Sequence, residues 1–243
     1  MSATDKIVLI TGANKGIGLE IAKQIASLKG HHVLIGSRDA ERGVKATESL
    51  GLPNVEPLTI DVSSDESVAS AAESVKSKFG RLDILINNAG VALEGYLNVP
   101  TTRTLLRETF EINVFGAAAT TEAFVPLLEK SISPAPSVIF VSSDLGSLAY
   151  RADPQGLFKD VNFPVYRTSK AAMNMLALTF AQRFREKGWK VNIHNPGYTA
   201  TEFNNFMGTG TVEDAAKGAV RLALLGPDGE TGTYSEKEGV IPW

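Results

Sequence analysis

The sequence predicts an α/β fold: a doubly wound parallel sheet with helices on both faces, three layers deep, in one domain over 1–243. Three observations predict it. Short runs such as Ile7-Val8-Leu9-Ile10 and Val33-Leu34-Ile35 are apolar throughout, the pattern of strands buried on both faces. Longer amphipathic stretches alternate with these runs, and strand–helix alternation implies a parallel sheet. The 243 residues, 43% of them hydrophobic, can bury one sizeable core, and no linker or internal repeat divides them. Right-handed crossovers then place helices on both faces.

The first strand covers 7–10 and enters a glycine-rich turn, with a helix over 18–28. A second strand covers 33–36. A helix over 40–50 is closed by Gly51 and Pro53, the residues that stop helices. Strand 55–60 precedes a helix over 65–78, with Ser63 or Ser64 as its cap. Strand 82–86 leads to a helical region over 102–130, interrupted near Pro126. Strand 137–141 is followed by one long irregular stretch over 146–164. A helix over 166–187 stops at Gly188. Strand 191–194, a helix over 211–225, and a last strand built from 233–234 and 240–241 complete the chain.

Composition excludes several classes. The net charge is −3 and the pI about 5.7, with no basic stripe for nucleic acid. No apolar run approaches the roughly 20 residues of a membrane helix, and the N-terminal residues have no secretory layout. With no cysteine, disulfides and thiol chemistry are excluded, and a cytoplasmic setting is expected. His31, His32 and His194 are scattered without carboxylates at ligand spacing, so no metal site is expected.

Ligands of such sheets bind beyond the carboxyl ends of the strands. After the first strand come Thr11-Gly12-Ala13-Asn14-Lys15-Gly16-Ile17-Gly18. Glycines let backbone turn tightly and approach a pyrophosphate resting on the next helix N-terminus, so Gly12, Asn14, Lys15, Gly16, Ile17 and Gly18 are read as a dinucleotide cradle. The second strand ends in Gly36-Ser37-Arg38. Ser37 stands where an NAD site carries an acid, and Arg38 and Lys15 suit a 2′-phosphate. The expected cofactor is therefore NADP(H), with Asp39 as a competing ribose ligand. Asp61-Val62 after the third strand suits the adenine, and Asn87-Asn88-Ala89-Gly90 after the fourth presents small residues to a ribose. Tyr166 and Lys170 are four residues apart, on one face of a helix. A lysine near a phenol favours the phenolate, which makes the tyrosine a better acid or base near neutral pH.

These motifs, together with Asn113, Ser142-Ser143 and Pro196-Gly197, occur in an order that resembles the short-chain dehydrogenase/reductase family, in its carbonyl-reductase-like branch. The resemblance covers nearly the whole chain. It implies a Rossmann-type fold of seven strands and NAD(P)-dependent hydride transfer to or from a small-molecule carbonyl. Tyr166 would be the general acid. Lys170 would lower its pKa and hold the nicotinamide ribose. Ser143, with Ser142 as the alternative, would hydrogen-bond the substrate oxygen. Asn113 would hold a water relaying protons to Lys170. Pro196 and Gly197 would pack on the nicotinamide, with Thr199 or Thr201 at its amide or the phosphates. Asn88, Ala89 and Gly90 would line the adenosine ribose, and 198–211 would form the substrate loop. Ser143 and Tyr166 are 23 residues apart, farther than the family often has. The extra segment, within 147–164, is similar to the insertion of monomeric carbonyl reductases and implies a monomer or weak homodimer. Phe203, Asn204, Phe206 and Met207 are read equally as an apolar lid or as helix packing.

Overall fold

The computed structural model describes residues 4–94, 101–156, 158–237 and 239–243; Leu157, inside the predicted insertion, lies outside the described residues. Seven strands form one sheet: β1 (Lys6–Ile10), β2 (His31–Ser37), β3 (Val55–Thr59), β4 (Ile84–Asn87), β5 (Ser137–Val141), β6 (Lys190–His194) and β7 (Tyr234–Ser235). Their order is β3-β2-β1-β4-β5-β6-β7 and every pairing is parallel. This is the expected Rossmann-type architecture. The helices are α1 (Gly16–Ala26), α2 (Ala40–Leu50), α3 (Asp65–Phe79), α4 (Arg103–Phe110), α5 (Ala117–Leu128), α6 (Leu148–Ala152), α7 (Pro164–Phe184) and α8 (Val212–Ala223).

The apolar strands feed both faces because successive side chains alternate. Ile7, Leu9, Leu85 and Phe140 join one buried cluster with Val68, Phe124 and Phe180 from α3, α5 and α7. Val8, Ile10, Ile86 and Ile139 join the other, with Ile21, Ala46 and Leu222 from α1, α2 and α8. The strand order reverses between β1 and β4, and a cleft opens there at the carboxyl ends.

Three expectations shift. The 102–130 region breaks at a π-helical turn, Glu111–Gly116, rather than at Pro126. Inside that turn Asn113 reaches across to Val91 and Ser169, which diverts the helix; Pro126 sits inside α5, two residues before its end, and the helix runs past it to Leu128. The 146–164 stretch is not wholly irregular, because Ser147 accepts from Tyr150 N and caps the short α6. The last strand contains only Tyr234 and Ser235, and Val240 returns antiparallel to bridge Ser235.

Candidate active site

A cleft of about 2100 Å³ runs across the carboxyl ends of the strands and is lined by every predicted site residue except Asn113. Pockets for drug-sized ligands measure about 300–1,000 Å³, so this cleft is larger than a single small-molecule site.

At the β1 end, the glycine turn is held by the fourth strand's exit. Asn88 Nδ2 donates to the carbonyls of Thr11 (2.9 Å) and Gly12 (3.1 Å), and Thr11 Oγ1 accepts from the amides of Asn88 and Ala89. A Cβ at Gly18 would lie 2.4 Å from Asn88 Nδ2, and one at Gly12 2.9 Å from Ala89 Cα. These glycines are required by chain-to-chain approach; Asn88 braces the cradle with its side chain. The start of α1 has no side-chain cap and no acid in its first turn. Its amides therefore suit an external anion, which fits a pyrophosphate.

At the end of β2, Ser37 is buried and its hydroxyl donates to the Asp39 carbonyl. Asp39 caps α2, accepting from Arg42 N at 3.0 Å, so its carboxylate is engaged by its own helix. Arg38 is exposed and lines the cleft with Lys15 and Arg42. Asp61 accepts from the hydroxyl and amide of Ser63 (2.7 and 3.0 Å), and the hydroxyl bond chiefly holds its carboxyl below the usual range. Val62 packs beside the same wall.

Tyr166 and Lys170 project from the first turns of α7, with Lys170 Nζ 5.6 Å from the phenol ring centroid. Lys170 is 4% exposed and donates to the Val141 carbonyl at 2.9 Å. Burial lowers its pKa from 10.5 to about 7, because the charged form loses solvent. Ser142 is committed to α7, donating to Asn174 Oδ1 at 2.6 Å. Ser143 instead meets Asp144 Oδ1 at 3.0 Å; burial raises that carboxyl's pKa. Tyr234 Oη donates to the Ser143 carbonyl. Asn113 is fully buried; its side chain accepts from Val91 N and donates to Val91 O and Ser169 Oγ. Both Asn113 Oδ1 and Lys170 Nζ border Gly90, 3.3 and 3.5 Å from where a Cβ would stand.

A short chain dehydrogenase family model matches residues 6–210. The chain belongs to the short-chain dehydrogenase family. It is 37% identical over 230 residues to the short-chain dehydrogenase anuI of Penicillium roqueforti, covering 93% of this chain and 91% of that one. It is 30% identical over 295 residues to salutaridine reductase of Papaver bracteatum, covering 94% and 93%. Among solved structures, NADPH-bound carbonyl reductase from chicken fatty liver superposes with a TM-score of 0.86 at 26% identity, covering 98% and 99% of the two chains. Salutaridine reductase from Papaver somniferum gives 0.80 at 30%, covering 93% and 98%. This short-chain dehydrogenase is an oxidoreductase of the nicotinamide-dinucleotide type.

Around the cleft of the dehydrogenase, the 198–211 loop closes one side. Pro196 and Gly197 line its base, and Thr199 Oγ1 donates to the Pro196 carbonyl at 2.9 Å. Thr201 is buried against the glycine turn. Glu202 reaches over to Lys15 at 2.5 Å, and Lys15 holds that carboxyl below its ordinary range. Phe203 leans on the Tyr166 ring at 5.8 Å and lines the cleft. The insertion forms the opposite side through Arg151 and the residues from Phe158 to Pro164. Its end is gripped by Arg167, whose guanidinium donates to the carbonyls of Asn162, Phe158, Val161 and Leu145.

Several contributors were not read from the sequence. Arg42 lies in the first turn of α2, four residues after Arg38, and lines the same cleft. Asp144, Asn174, Tyr234, Arg167 and Glu94 act through tertiary contacts that no local pattern announces. Among the described residues, no group of three or more His, Asp or Glu is placed to hold a metal. No described helix is long and apolar enough to cross a membrane.

Proposed function

We propose that this short-chain dehydrogenase, acting as one domain, reduces a ketone, an aldehyde or a related C=N group with NADPH. Tyr166 is the proton donor. The carrying observation is the convergence of Ser143, Tyr166 and Lys170 on one cleft whose other end presents Lys15, Arg38 and Arg42. Relatives named carbonyl reductase, salutaridine reductase and menthone neomenthol reductase support reduction. Relatives named (+)-neomenthol dehydrogenase support the same residues running in reverse, as an alcohol oxidation.

NADPH supplies the hydride. The carbonyl oxygen, as charge builds on it, would take the proton of the Tyr166 hydroxyl and be stabilised by Ser143. Engagement of Ser142 by Asn174 favours Ser143 for this contact. Lys170 favours the resulting phenolate by its charge. Asn113 braces the loop against α7, and its place beside Gly90 and Lys170 suits a relay water. Asn14, Gly16 and Ile17 hold the pyrophosphate side, Asp61, Val62 and Ala89 the adenosine, and Pro196, Gly197, Thr199 and Thr201 the nicotinamide side. Phe203 and Phe206 give the substrate an apolar wall. The lack of cysteine supports a cytosolic setting.

NADPH oxidation across aldehydes, cyclic ketones, diketones and imines tests the reading, and no consumption with any of them overturns it. R38D should weaken NADPH binding about 10–100-fold, as loss of charge-assisted phosphate bonds does, and leave NADH binding nearly unchanged. A wild-type preference for NADH overturns the assignment of Arg38 and Lys15. The insertion packs on the C-terminal residues, through Ser147 Oγ to the Pro242 carbonyl and Ala149 N to the Trp243 carbonyl. With an insertion like that of monomeric carbonyl reductases, a monomer or weak dimer is expected, and light scattering that reports a stable tetramer overturns it.

A further inference from the structure

Glu94 lies in the segment that leaves β4, 72 residues before Tyr166. It is 4% exposed. One carboxylate oxygen accepts from Val165 N at 2.9 Å and the other from Tyr166 N at 2.8 Å. These are the second and third residues of α7, whose first is Pro164, without an N–H. The residue before the helix is Phe163, in left-handed backbone at φ 50, and its side chain has no acceptor. The amides a local cap would satisfy are therefore met by a distant carboxylate. The helices α2, α3, α4 and α8 are capped by their own flanking residues Asp39, Ser64, Thr102 and Thr211. The negative charge also sits at the positive end of a 21-residue helix, where it is favoured.

We infer that Glu94 is a positioning residue for the proton-donating tyrosine. This rests on the reductase reading given above. Glu94 grips the Tyr166 backbone directly, so its carboxylate sets the height of the phenol above the cleft floor. The same loop binds Asn113 through Val91. One short segment, 91–94, thus fixes both the π-helical turn and the catalytic helix. Misplacement of a reacting group by about 1 Å costs about 100-fold in rate, so loss of the grip should appear in the chemical step rather than in cofactor affinity.

The test compares wild type with E94Q, E94A and E94D on one reduced carbonyl. It reads kcat and KM per folded enzyme, NADPH Kd, Tm and the kinetic isotope effect with deuterated NADPH. E94Q turns an amide group towards one of the two donors; kcat should fall about 10–100-fold with NADPH Kd within about twofold and a larger isotope effect. E94D should recover part of the loss, and serves if E94A does not fold. A lowered Tm with kcat per folded enzyme matching wild type would reduce Glu94 to a structural cap and overturn the proposal. An inactive wild type counts against the reductase reading, whereas an active wild type matched by E94Q counts against the positioning role alone.

Discussion

Replacing Tyr166 by Phe lowers turnover at least about 1,000-fold, within the range of losing a general acid, and leaves NADPH binding within about twofold. The ring, its contact with Phe203 at 5.8 Å and its place beside Lys170 are retained; only the transferable proton is lost. Ser143 still offers a donor, so a small residual rate is expected. Stopped-flow hydride transfer and NADPH fluorescence titration check the two halves separately. Full activity in Y166F would remove the phenol from the mechanism.

Lys170→Met should reduce kcat about 100-fold or more and also weaken the dinucleotide. Its pH behaviour gives a second readout. The ordinary lysine pKa of 10.5 applies to the unfolded chain, and the folded value is about 7. Between those values the unfolded chain binds the extra proton, so this group makes stability rise as pH rises from about 7 towards 10.5. Below about pH 7 both states carry the charge, and its burial destabilises the fold. Urea midpoints of the cofactor-free protein at pH 7, 8 and 9 should therefore climb more steeply for wild type than for K170M. Parallel curves would mean that burial leaves the amine's proton affinity unperturbed.

The sheet was legible because both-face burial writes each strand as an apolar run, and Ile7, Leu9, Val8 and Ile10 did divide between the two cores as alternation requires. The cradle and the Tyr166–Lys170 pair were legible because their spacing is local. What the sequence left open turns on which partner a side chain takes, near or far. Asp39 was an ambiguous ribose ligand until its bond to Arg42 N made it a helix cap. Pro126 is a strong local breaker, yet the break fell at Asn113, whose partners Val91 and Ser169 lie 22 and 56 residues away. Glu94 has the same character, since nothing near it in the chain marks α7 as its target.

The Arg167 clasp divides the insertion into two parts with separate anchors. The end that reaches the catalytic helix, from Phe158 to Asn162, is tied by its carbonyls to the guanidinium of Arg167, the fourth residue of α7. Because those ties are to backbone, they tolerate many side chains there. The α6 half is anchored elsewhere, through the Ala149 amide to the Trp243 carbonyl, and borders the cleft with Arg151. A lineage could therefore exchange residues 148–156 to fit new substrates while proton delivery stays in register, so that substrate range and catalytic competence drift independently.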